Sequence, residues 1–93
     1  MDAIGILRKN KKDLESKFGL KRIGVFGSFA RGEQKKRSDV DILVEFSEVV
    51  GMFKFLEVQE HLEKLLGRKV DLVTKKALKP YIKERILKQV VYV

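Results

Sequence analysis

Within 93 residues the hydrophobic period changes from helical to strand-like and back several times, which restricts the chain to a mixed fold. Ile4, Leu7, Leu14 and Phe18 recur at helical spacing from Asp2 to about Phe18, and Gly19 supplies a stop. Arg22-Ile23-Gly24-Val25-Phe26 reads as a short strand. It ends at Gly27-Ser28, with Ser28 the expected N-cap of a helical turn that breaks at Gly32. Glu33 to Ser38 is polar and lysine-rich, hence a loop. Val40, Ile42, Val44 and Phe46 then alternate with Asp39, Asp41, Leu43 and Glu45, the pattern of a strand with two unlike faces. Gly51 and Gly67 bracket a second amphipathic helix built on Phe55, Val58, Leu62, Leu65 and Leu66. Lys69 to Val73 is a third strand, and Pro80 opens a last helix striped by Ile82, Ile86 and Val90.

The expected order is α-β-(short α)-β-α-β-α, one domain over residues 1–93. The class is α+β (α/β): a small three-stranded mixed sheet covered by helices. The chain has no cysteine, so neither a disulfide nor a cysteine-zinc site supports it, and thiol chemistry is excluded. Its 44% hydrophobic residues must form the core alone. No stretch approaches the ~18–20 apolar residues of a membrane span. Charge enters by Arg8, so the N-terminus does not read as a secretory leader, and a cytoplasmic protein with no membrane partner is expected. The net charge of +8 fits either a solvated lysine-rich surface or a polyanionic partner.

Chemistry gathers at three aspartates. Aspartate is disfavoured in strands, yet Asp39, Asp41 and Asp71 all fall in or beside them. Asp39 and Asp41 lie two apart, which puts both carboxylates on one face. Asp71 holds the equivalent place in the next strand, so in-register pairing would bring all three together. Singly, each has an ordinary explanation as a turn or strand-edge residue. Together they repel unless a cation stands between them. Upstream, the Gly27-Ser28 turn offers close backbone approach, free N–H groups and a hydroxyl, which suits a phosphate, although a capped turn with nothing bound would read the same. Arg31, Lys35, Lys36 and Arg37 could neutralise a polyphosphate held there, and Arg31 could equally pack the short helix through a salt bridge. Lys75 and Lys76 read as a solvated loop, His61 as a surface residue rather than a ligand, and Tyr81 and Tyr92 as packing residues.

Gly27-Ser28, ten residues, then Asp39-Val40-Asp41 resembles the signature of the polymerase-β-like nucleotidyltransferase superfamily. The fuller run Gly27-Ser28-Phe29-Ala30-Arg31-Gly32, then Ser38 to Val44, is similar to the minimal nucleotidyltransferases (MNT). The likeness continues through Val70-Asp71-Leu72-Val73 and Leu78 to Tyr92, nearly the whole chain. It implies the nucleotidyltransferase fold, with Asp39 and Asp41 as the metal-binding pair. Asp71 would be the third carboxylate, a metal ligand that also helps deprotonate the attacking hydroxyl. Gly27 and Ser28 match the triphosphate turn, with Arg31 as a further phosphate group. Two magnesium ions, ATP as substrate and AMP transfer to a hydroxyl are implied. The family further implies the antitoxin of a HEPN/MNT toxin–antitoxin pair, which adenylylates a tyrosine of its toxin. The toxin role itself is excluded, since that motif needs an arginine shortly before a histidine, and the arginine nearest upstream of His61 is Arg37. A non-catalytic basic antitoxin or RNA-binding module is the alternative, although no aromatic pair lies on one strand face to stack bases. An enzyme acting on a small molecule is disfavoured by the short chain.

Overall fold

The computed structural model describes residues 1–93. Helix α1 (Ala3–Phe18) starts where the Asp2 carboxylate accepts a hydrogen bond from the Gly5 N–H at 2.9 Å. Then follow β1 (Leu20–Phe26), α2 (Gly27–Arg31), β2 (Val40–Phe46), α3 (Met52–Leu66), β3 (Val70–Thr74), a 3₁₀ turn (Lys75–Ala77), α4 (Pro80–Gln89) and β4 (Val91–Tyr92). The strands form one mixed sheet ordered β3-β2-β1-β4, with β2/β3 parallel and the other pairs antiparallel. Helix α3 is the crossover that parallel β2 and β3 require.

One face of the sheet carries the core. Val40, Ile42 and Val44 of β2 meet Ile23 and Val25 of β1 and Val70 and Leu72 of β3, all buried. Leu7, Leu14 and Phe18 of α1 and Val58, Leu62 and Leu66 of α3 cover them. At about 1.5–3 kcal/mol for each large apolar side chain removed from water, this layer fixes the strand register.

The second face is thinner and differs from the sequence expectation. A fourth strand joins the expected three: Val91 and Tyr92 pair with Val25 and Gly24 at the open edge of β1. Val90, expected on the last helix's stripe, is instead extended at its C-cap. A β-branched and aromatic run beside unpaired strand groups gains more from the sheet than from another helical turn. Helix α4 buries no residue fully. Tyr81, expected to pack, is 65% exposed, whereas Tyr92 carries the Arg22 guanidinium 3.9 Å above its ring. Leu43 is 1% exposed yet lies outside the main core, on this second face beside its register partner Gly24. A Cβ on Gly24 would overlap a Val90 methyl and come within 3.1 Å of the Tyr92 ring.

Gly24→Val should therefore destabilise the chain by about 1–3 kcal/mol, the usual cost of overpacking. Thermal unfolding followed by circular dichroism measures this, and an unchanged midpoint would mean that the C-terminal segment does not rest on Gly24.

Candidate active site

The pairing of β2 with β3 puts Asp41 directly opposite Asp71, with Val40↔Val70 and Ile42↔Leu72 on either side locking the register. In a parallel pair, opposed residues share a face, so these two carboxylates stand together on the second face. Asp39 lies one residue before β2 rather than within it, and is exposed, as is Asp71. The three do not close into a ready three-ligand cage. The expected convergence is complete for Asp41 and Asp71, whose side chains share a hydrogen bond, while Asp39 acts on Asp41 through its charge alone.

Asp41 feels this most. Its carboxyl is held above the ordinary value of 3.8 first by burial, then by the negative charges of Asp71 and Asp39 and a hydrogen bond with Asp71, while Arg31 pulls it down. No lysine or arginine pairs with any of the three, although the chain holds 21 such residues.

Across the other edge of β2, Asp41 is the register partner of Phe26, so the following Gly27 borders the carboxylates. Gly27 has φ 70°, and a Cβ there would overlap the Asp41 carboxylate. Both reasons require glycine. Ser28 is not the N-cap: α2 begins one residue earlier, Phe26 occupies the cap position, and no side chain caps the helix. The Ser28 hydroxyl is thus left free inside a first turn whose N–H groups lack helical acceptors. Arg31 donates to Gln89 Oε1 of α4 at 3.2 Å and pairs with Glu33 at 3.6 Å, so its packing role is real. It also faces Asp41 closely enough to lower that carboxyl. His61, half-buried on α3, packs edge-on against Phe18 at 5.1 Å, on the helix layer that covers the opposite face of the sheet from these groups.

Three supporting residues escaped the sequence reading. Arg68 donates to the Lys36 carbonyl at 2.9 Å and the Ser38 carbonyl at 3.2 Å, with its guanidinium 5.4 Å from the Phe29 ring. It pins the loop that delivers Asp39. On α3, Gln59 donates to the Val70 carbonyl at 2.8 Å, and the Glu63 carboxylate accepts from the Val70 N–H at 3.0 Å. They satisfy the outer backbone groups of an edge strand immediately before Asp71. Their signal was present as polar residues at i and i+4 flanking the apolar arc of α3.

The donor set is anionic and all oxygen, the chemistry of a hard cation such as magnesium, and the missing side chain of Gly27 gives the Asp41 carboxylate the space it occupies. The residues fit such an ion.

A model of the nucleotidyltransferase domain matches residues 7–93. The chain belongs to this family. Protein adenylyltransferase MntA of Thermococcus cleftensis is 54% identical over 88 residues, 95% of this chain and 89% of its own. A solved structure designated a minimal nucleotidyltransferase superposes with a TM-score of 0.81 at 34% identity, covering 98% of this chain and 95% of that one. The expected minimal nucleotidyltransferase fold is therefore the observed one, with one short strand more. A rebuilt structure of tri-AMPylated Shewanella oneidensis HEPN toxin with its MNT antitoxin shares the fold, at a TM-score of 0.71 and 20% identity over 99% of this chain and 71% of that one. This nucleotidyltransferase has no helix long and apolar enough to cross a membrane.

Two outcomes follow from the geometry. An acid whose folded value is raised stabilises fully below its ordinary 3.8 and loses that contribution as pH rises through the raised value. Asp41→Asn should thus raise stability at pH 7 by roughly 0.5 kcal/mol after solvent screening, about 2–4 °C in melting temperature. The gain should shrink towards zero as pH falls to the ordinary value, and a pH-independent gain would exclude the electrostatic cause. Arg68→Ala removes two carbonyl contacts of about 0.5–1.5 kcal/mol each, so trypsin should cut at Lys35, Lys36 and Arg37 roughly tenfold faster. Unchanged cleavage would show that the loop does not depend on Arg68.

Proposed function

We propose that this nucleotidyltransferase moves AMP from ATP to a tyrosine hydroxyl of a partner toxin of the HEPN type in the cytoplasm, and so serves as the antitoxin. One observation carries the reading: in a chain of net charge +8, Asp41 and Asp71 stand together on one sheet face with Asp39 just before the strand, and none of the three has a salt-bridge partner. A fold that can place 21 basic residues and leaves this cluster unpaired is suited to a cation brought from outside. The adenylyltransferase name of the Thermococcus relative and the AMP-bearing toxin in the Shewanella complex favour AMP and a protein acceptor over other nucleotides and acceptors.

In this reading Asp39 and Asp41 hold magnesium, two ions in the full complex, and Asp71 completes the ligand set. When bound, the metal supplies positive charge to the triphosphate oxygens and to the developing charge in the transition state. The Gly27 backbone, with the free N–H groups and hydroxyl of Ser28, holds the β- and γ-phosphates. Arg31, anchored by Gln89, lends charge to the same oxygens. The acceptor oxygen attacks the α-phosphorus in line, the bond to the bridging oxygen breaks, and pyrophosphate leaves. The hydroxyl proton passes to a carboxylate, for which Asp71, exposed and opposite Asp41, is best placed. The product is a phosphodiester between AMP and the acceptor.

The test is incubation with α-labelled ATP, magnesium and a co-expressed candidate toxin. Label should reach the toxin with the native chain and fall more than about a hundredfold in an Asp39→Asn, Asp41→Asn double variant, because several kcal/mol of transition-state stabilisation are removed. Chelator should abolish it equally. Equal neutralisation of the toxin by both proteins without label transfer would leave contact inhibition as the function.

A further inference from the structure

On the second face, β2 runs from Asp41 over Leu43 to Glu45, roughly 13 Å at ~3.3 Å per residue. At that far end lies a cleft of about 640 Å³ that the candidate active site does not use. Lys75, Lys76 and Lys83 line it together with Glu45. Lys75 and Lys76, read from sequence as a solvated loop, form a 3₁₀ turn that faces this space. None of the three lysines forms an ion pair, and one Glu45 carboxylate oxygen is buried without a hydrogen bond. Its nearest cation, Arg22 at 3.9 Å, is already stacked on Tyr92. A second cleft of about 420 Å³, mostly apolar, adjoins the first and shares Val50 and Thr74 with it. Val49, 90% exposed, lines the first cleft, and Met52, 75% exposed, lines the second.

We infer that this paired cleft docks an acidic peptide segment of the partner protein, one that carries glutamate or aspartate beside an apolar residue. Unpaired lysines select carboxylates. Lysines attract phosphates as well, but a phosphodiester chain has no aliphatic side chain to fill the apolar cleft alongside, so the two clefts together favour protein over nucleic acid. The apolar cleft and the exposed valine and methionine take the neighbouring side chain. The partner's identity as the AMP acceptor rests on the function proposed above, while the docking chemistry stands without it. Placed ~13 Å from the carboxylates, the cleft grips the partner at a distance from the reacting hydroxyl, leaving the metal and triphosphate unobstructed.

The probe is a short fluorescein-labelled peptide of alternating glutamate and leucine, read by fluorescence anisotropy at near-physiological salt without metal or nucleotide. A Lys75→Ser, Lys76→Ser, Lys83→Ser variant should bind it about tenfold more weakly, and Lys75→Ser, Lys76→Ser alone about fourfold. Removing the same charge from α1 with Lys9→Ser, Lys12→Ser and Lys17→Ser should change binding less than about twofold, since those sites lie behind the core layer. Magnesium-ATP binding to the cleft variant should stay within about twofold of the native value. Equal losses in the two triple variants, or equal binding of a glutamine-leucine peptide, would overturn the inference, as would a matching loss of magnesium-ATP affinity. Tighter, cleft-dependent binding of a single-stranded RNA oligonucleotide would overturn it in favour of nucleic acid. If Asp41→Asn abolishes magnesium-ATP binding but leaves peptide binding intact, both readings stand. If the native chain binds the peptide through the cleft and never binds magnesium-ATP, only the catalytic reading falls.

Discussion

The parallel pairing of β2 with β3 is the constraint on which the rest of this molecule hangs. Buried Val40, Val70, Ile42 and Leu72 fix the register, and the same register forces Asp41 against Asp71 on the opposite face. The apolar layer and the acidic cluster are two sides of the same strands. Slipping the strands by one residue would separate the carboxylates but turn the whole apolar set out of the core, a far larger loss than the repulsion it relieves. The core thus holds together charges that would otherwise part.

The surroundings of that pair act to keep it usable. Gly27 comes close to Asp41 without covering it. Gln59 and Glu63 satisfy Val70, so the edge strand stays straight up to Asp71, and Arg68 holds the loop before Asp39 by its carbonyls, leaving the carboxylate itself untouched. Cationic side chains are employed around the cluster on backbone oxygens, on Gln89 and on aromatic rings, but none neutralises it. Such restraint suits the proposed role of a centre that accepts a metal–nucleotide complex.

Most of this fold could be read from the order of residues because its main layer is periodic: alternation exposed β2, and the arcs of α1 and α3 exposed their buried faces. The candidate site could be read as residue types and spacing, Gly27-Ser28 and the three aspartates, because Gly27 directly follows β1 and Asp39 directly precedes β2, strands that the hydrophobic pattern defines. What escaped was set by tertiary contact. The strand at Val91 and Tyr92 exists because β1 has an open edge, which no local pattern announces. Ser28 lost the cap role because Gly27, in a left-handed conformation, already starts the helix. Tyr81 and Lys75 are defined by what lies across from them, solvent for the one and a cleft beside Glu45 for the other. Arg68 acts on carbonyls some thirty residues away, a distance over which sequence spacing carries no information.

The crossover through α3 also bears on the order in which the molecule can assemble. Strands β1 and β2 are close in sequence and pair antiparallel, whereas β3 can dock on β2 only after the whole of α3 has been threaded back along the sheet. Contacts that close the longer loop form late, because the entropy of closing it must be met first. Asp41 and Asp71 therefore become neighbours only near the end of folding. A partly unfolded chain would hold Gly27-Ser28 and two aspartates without the third, so under the proposed function metal binding would itself report the completed fold.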